Sequence, residues 1–161
     1  MKINTGFTLV ELVIVTAVLS ILSAAALTML NPNAQFQKAN DARRKSDLSQ
    51  IQRALESYYQ DHGSYPASSS NKISDPQSGG TIIWGSPWGN YMNMLPQDPQ
   101  SPAASYAYSV NSDGQGYRLY ATLSRTNDSQ ACNHGLACPH APSGACIKTC
   151  LYAATSPNEV P

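Results

Sequence analysis

A lone carboxylate in an apolar run stands out among the residues able to do chemistry. Glu11 lies near the start of the stretch Phe7 to Leu30, which is otherwise fit only for lipid or a buried core. A carboxylate near the middle of a bilayer costs about 2.5–3.5 kcal/mol or more, so an intramembrane acid is expected to have a function and a partner. The bland alternative is a plain anchor in which Glu11 reaches the headgroups. A second cluster is Cys132, Cys138, Cys146 and Cys150, with His134 and His140 among them. Outside the cytoplasm, an even number of cysteines in a Gly- and Pro-rich segment reads as two disulfides, whose pairing the spacing does not choose. Zinc is the sharper alternative, although C-x5-C and C-x3-C lack the tight C-x2-C knuckle of structural zinc sites. Redox thiols would prefer C-x-x-C.

Two further groups carry weaker signals. Lys38, Arg43, Arg44 and Lys45 could contact nucleic acid or anionic lipid. Asp41 and Asp47 are interleaved with them, and Asp41–Lys45 has the i,i+4 spacing of a helical ion pair. The bland expectation is a solvated or subunit-facing turn just outside a membrane. Trp84 and Trp88 read as packing residues, with an aromatic binding platform as the alternative. His62, His134 and His140 have no nucleophile at a telling spacing. There is no phosphate loop, dinucleotide fingerprint or H-E-x-x-H, so no catalytic residue is assigned and an enzyme is not expected.

The elements that must position these residues follow from periodicity. Phe7 to Leu30 is 24 residues with one charge. As a helix it is about 36 Å long, enough to cross an apolar core of about 30 Å with some tilt. Its β-branched residues do not prevent this, because in lipid every backbone group must be paired internally. A secretory signal peptide competes, but its apolar part runs about 7–15 residues and carries no acid. Ala24, Ala25, Ala26, Ser20 and Ser23 offer a small-residue face for a neighbouring helix.

Asn31-Pro32-Asn33 predicts a kink or a short break. Beyond it, Leu48, Ile51, Leu55 and Tyr58, with Ala54 beside them, form one helical stripe that ends near Gly63 and Pro66. From Ala67 to Ala104, serines, glycines and prolines break any period, which predicts a long looping connection. Tyr106/Tyr108/Val110 and Tyr117/Leu119/Ala121/Leu123 alternate as two strands around Asn111–Gly116, a hairpin whose face packs on the helical stripe. A third strand is expected near Cys150 to Ala154, since an isolated hairpin is marginal. The fold class is α+β: a long kinked N-terminal helix, its first half transmembrane, packed on a small antiparallel sheet with a disulfide-braced C-terminal loop.

The segment Lys2 to Leu12, K-I-N-T-G-F-T-L-V-E-L, resembles the leader and cleavage site of the type IV pilin and pseudopilin superfamily. Leu95-Pro96-Gln97-Asp98-Pro99 followed by Tyr106-Ala107-Tyr108 is similar to the approach to the sheet in major pseudopilins and related short pilins. The resemblance implies residues 1–6 as a leader, 7–30 as the transmembrane and fibre-core helix, and 31–161 as an α+β domain outside the cytoplasm. It implies cleavage between Gly6 and Phe7 by a prepilin peptidase and methyltransferase, N-methylation of Phe7, and an assembly role for Glu11. In a fibre the Glu11 carboxylate would pair with a neighbour's N-terminal ammonium. Implied partners are copies of this chain, a membrane assembly platform with its own ATPase, and the bilayer; DNA is a further ligand known in some members.

Many pilins carry a single C-terminal disulfide, so four cysteines depart from that pattern. Major pseudopilins of secretion systems bind calcium in a C-terminal loop, where this chain offers Asn127 and Asp128. No cofactor is assigned, and calcium and zinc stay open. Formal charge balances at ten basic and ten acidic side chains, implying no globally acidic or basic partner. The Lys/Arg excess lies past the apolar run, and by charge alone it would put the domain inside the cell. The cysteines and the resemblance place it outside, and that orientation is adopted. The expected function is a subunit of a type IV pilus-like surface filament, with the major pseudopilin of a secretion or DNA-uptake system as the alternative.

Overall fold

A computed structural model describes residues 6–29 and 31–159. The rest of the leader, with Lys2, and the end of the apolar run at Leu30 lie outside the described residues. The chain divides into two units between Phe36 and Gln37.

The first unit is dominated by α1, Leu9–Met29. Every residue whose side chain is described in it, Leu9 to Ala26, is exposed. The span Leu9–Ala26 is long and apolar enough to cross a membrane, as expected from a sequence apolar on all faces. The expected interruption is a break. Asn31 takes φ 40° and α2, Pro32–His62, starts at the proline, where the missing N–H and fixed φ suit a first helical turn. The Asn31 side chain accepts from the Ala34 N–H at 3.4 Å.

In the second unit α2 supplies the predicted stripe. Leu48, Ile51, Ala54, Leu55 and Tyr58 are all buried. The helix ends at His62, and Gly63 follows at φ 72°, with its N–H bonded to the Tyr59 carbonyl at 2.7 Å. A left-handed residue after the last turn is where glycine has no steric penalty.

Among the described residues six short strands follow: β1 Ala67–Ser69, β2 Lys72–Asp75, β3 Gly80–Thr81, β4 Ala107–Val110, β5 Tyr117–Ala121 and β6 Tyr152–Thr155. The antiparallel sheet β4-β5-β6 contains the expected hairpin, with Val110 opposite Tyr117, and the expected third strand. The predicted loop after Tyr65 is a correction: its first part is a second antiparallel sheet, β1-β2-β3. Ser70 and Asn71 both take positive φ, 50° and 59°, between the paired Ser69 and Lys72. Two consecutive left-handed residues match the twist of a tight hairpin, but Ser-Asn is a weaker signal than Asn-Gly.

The sheet β4-β5-β6 is covered on both faces. Tyr117, Leu119 and Ala121 join the α2 stripe, Tyr106, Tyr108, Trp84 and Trp88 in the main core. Ala107 and Tyr120 point the other way, onto Cys138, Ala145, Cys146 and Cys150. Period-2 alternation thus feeds two cores from one strand. Trp84 and Trp88 are buried; the Trp88 indole N–H donates to Asp75 Oδ2 at 3.1 Å. They are packing residues and offer no exposed binding platform.

This core is rich in tyrosine, and burial holds the Tyr65, Tyr106, Tyr108 and Tyr117 phenols well above their ordinary values. A raised phenol contributes stability that is present below the unfolded value of about 10 and is lost as pH rises above it. Alkaline titration is therefore expected to ionise these four together with loss of near-UV circular dichroism. Gradual ionisation of all tyrosines near pH 10 with the dichroism unchanged would contradict this.

Candidate functional site

Gly6 and Phe7 precede the first helical turn and are exposed. Thr8 and Glu11 then form a reciprocal cap. The Glu11 N–H donates to Thr8 Oγ1 at 3.2 Å, and Glu11 Oε2 accepts from the Thr8 N–H at 3.3 Å and the Thr8 hydroxyl at 3.2 Å. This is the capping-box arrangement, in which two orphan donors of a helix start are satisfied at once. The spacing T-x-x-E carried that signal, and reading Glu11 only as a buried acid missed it. Both bonds from Thr8 fall on Oε2; Oε1 has no partner among the described residues. A carboxylate in the first turn is also favoured by the helix dipole.

The four cysteines form two local disulfides, Cys132–Cys138 and Cys146–Cys150. His134, inside the first bridged loop, and His140, between the two bridges, lie at positive φ and join no group of three or more His, Cys, Asp or Glu able to hold a metal ion among the described residues. The Cys132 N–H donates to the Leu151 carbonyl and the Cys138 N–H to the Cys150 carbonyl, at 2.8 and 2.9 Å. The bridged segment is thereby laid along the chain entering β6. Gly135, at φ 92°, abuts the Thr126 carbonyl, where an added Cβ would come within 2.1 Å of the oxygen. Only glycine permits that approach.

The basic cluster is the largest correction. Lys38 and Arg43 are exposed, but Arg44 is completely buried. Its guanidinium forks onto Asp98, Nε to Oδ2 at 2.8 Å and Nη2 to Oδ1 at 3.1 Å. Nη1 donates to Asp41 Oδ1 at 2.8 Å and Ser124 Oγ at 2.9 Å, and Nη2 donates to Gln100 Oε1 at 3.1 Å. Burial alone would lower the Arg44 pKa, but the bonds and charges of Asp98 and Asp41 outweigh it and leave the pKa raised. Asp41 also accepts the Ser124 and Arg125 N–H groups at 2.7 and 3.1 Å. The planar, five-donor fork of arginine fits this role, and the lysine point charge does not.

The expected Asp41–Lys45 pair does not form, because Asp41 is committed to Arg44 and the backbone after β5. Lys45 instead pairs with Asp128, Nζ to Oδ1 at 2.5 Å, and lies over the Tyr152 ring at 5.6 Å from its centroid. Neither partner is near Lys45 in sequence. With Arg44 buried and Lys45 paired, the cluster presents no continuous basic patch for nucleic acid.

Comparison with known proteins agrees with the sequence resemblance at both ends. Residues 1–27 match the prokaryotic N-terminal methylation motif, and residues 32–136 match type II secretion system (T2SS), protein G. A similar protein is the type II secretion system core protein G of Klebsiella pneumoniae, 33% identical over 102 residues, covering 62% of this chain and 71% of that relative. No solved structure is a significant match. The second match takes in α2, both sheets as far as β5 and Cys132 but not its partner Cys138, and the first takes in the methylation motif and most of α1. With more than half of its length accounted for in this way, the chain belongs to the type II secretion system protein G family, within the pilin and pseudopilin superfamily.

Proposed function

We propose that this chain is the repeating, non-enzymatic subunit of a pseudopilus, a membrane-rooted helical fibre of a type II secretion apparatus. The observation that carries this reading is α1, predominantly apolar on every side, with Glu11 near its first turn as its one charged residue. Such a surface is tolerated first in lipid and then against copies of itself. The family match of the domain supports the export apparatus. The two disulfides favour a second reading, a filament exposed outside the cell, since such bridges persist in oxidising surroundings.

In this scheme the leader is cut between Gly6 and Phe7 and the new Phe7 amine is methylated. The freed ammonium of one subunit meets Glu11 of the next. Thr8 holds Glu11 through Oε2, which leaves Oε1 for the neighbour. Pairing two otherwise unmatched charges in an apolar bundle sets subunit register. The domain faces the periplasm or the exterior. Addition of subunits draws on a separate assembly platform and ATPase.

Intact-mass spectrometry on sheared and membrane fractions at native expression tests this. The expected species begins at Phe7, is one methyl group heavier, gains four hydrogens on reduction, and stays mainly with the membrane. Abundant sheared fibres of that same species would move the assignment to the surface-filament reading. A chain still beginning at Met1 would overturn both.

A further inference from the structure

The family resemblance implies a calcium ion in a C-terminal loop, and the stretch from Thr122 to Ala131, between β5 and the cysteine-rich segment, holds Asn127 and Asp128, the nearby oxygen-rich pair. The residues present do not fit one. Asp128 is the only carboxylate between Thr122 and Ala131, and Arg125 adds a positive charge. Among the described residues no group of three or more His, Cys, Asp or Glu side chains is arranged to hold a metal ion, whereas calcium takes six to eight oxygens. Asp41, which does reach this loop, is already engaged by Arg44 and the Ser124 and Arg125 N–H groups.

We propose that the Lys45 ammonium is the resident cation of this loop, and that the protein holds the segment in place without calcium. Lys45 extends from α2 to Asp128 Oδ1, which also accepts the Gln130 N–H at 2.9 Å. The Ala131 N–H closes back on the Asp128 carbonyl at 3.0 Å, one residue before the first disulfide. The Tyr152 ring covers the ammonium from β6, and both paired side chains are mostly buried. The hydrogen bond from Lys45 is also the main reason the Asp128 carboxyl sits below its ordinary value. One side chain thus joins α2, the loop and β6, the three elements that a bridging ion would have to connect. A divalent ion bound at Asp128 would face an ammonium at contact distance. The inference rests on the domain fold, so it stands or falls independently of the export assignment.

Thermal melts of the full-length chain in detergent micelles test it. The wild type is expected to melt at the same temperature in calcium, in magnesium and in EGTA. Lys45→Met keeps a straight, flexible side chain but removes the charge, and is expected to lower Tm by about 2–4 °C. Asp128→Asn is expected to do the same, and the double variant to lose no more than either single one. A calcium-specific rise in Tm, in the wild type or in Lys45→Met, overturns the proposal. So do single losses that simply add in the double variant. A variant too unstable to purify leaves the wild-type calcium comparison to decide.

Discussion

Glu11→Gln and Glu11→Ala are expected to reach the membrane and be cut and methylated like the wild type, yet to yield almost no polymer. The two substitutions separate the two roles of the carboxylate. In this structure Glu11 caps its own helix through Thr8, and glutamine can do that equally well in a capping box. Only the charge is lost in Glu11→Gln. If the carboxylate neutralises a neighbour's ammonium, removing it leaves an unpaired buried charge at a cost of about 3–5 kcal/mol. At about 1.4 kcal/mol per tenfold, each subunit contact weakens by roughly a hundredfold or more. Polymer should be counted by crosslinking in membranes and by electron microscopy of cells overproducing the subunit. Intact mass should confirm that processing is unchanged. Normal polymer from Glu11→Gln but none from Glu11→Ala would mean that the cap matters and the charge does not, which would sink the pairing mechanism.

Arg44→Met is expected to cost the domain about 3–5 kcal/mol and to lower its melting temperature by roughly 10 °C. The guanidinium is fully buried and spends five hydrogen bonds on Asp41, Asp98, Gln100 and Ser124. Methionine restores much of the volume but strands two buried carboxylates, and an uncompensated buried charge is far worse than an apolar replacement of the whole set. Adding Asp41→Asn and Asp98→Asn to Arg44→Met should therefore recover part of the loss, although Asp41 also holds two backbone N–H groups. Arg44→Lys should rescue little, since an ammonium cannot fork onto Asp98. Circular dichroism melts of the four chains in micelles decide the matter. An Arg44→Met chain melting with the wild type would show that the network contributes no net stability.

The two expectations differ in how much of each could be read from the chain. Glu11 stands out because its context is one-dimensional: a single charge in an apolar run is visible by composition alone. The α2 stripe was equally legible, since Leu48, Ile51, Leu55 and Tyr58 repeat with the helix period and all prove buried. So was the β4–β5 hairpin, where Asn111 to Gly116 announce the turn and the alternation announces the strands. Each of these signals lies within a few residues of what it specifies.

Local spacing misled where a charge had a choice of partners. Asp41 and Lys45 are one helical turn apart, yet Asp41 takes Arg44 and Lys45 takes Asp128, 83 residues away. The small sheet β1-β2-β3 was hidden for a related reason. Its strands are two to four residues long, too short to establish a period, and Asp75 at the end of β2 takes hydrogen bonds from the Gln77 N–H and from the Trp88 indole, 13 residues on.

The sequence by itself determined the long apolar helix, its one acid, the α2 stripe and the hairpin, and it pointed to two disulfides. Apolar periodicity and turn chemistry act over one or two turns of chain, so linear order suffices to express them. Only the tertiary structure decided that Cys132 pairs with Cys138 and Cys146 with Cys150, that Arg44 is buried, and that Lys45 pairs with Asp128. Those outcomes depend on which loops return to α2. A buried charge must find its counter-charge wherever the fold brings one, and sequence distance carries no information about that.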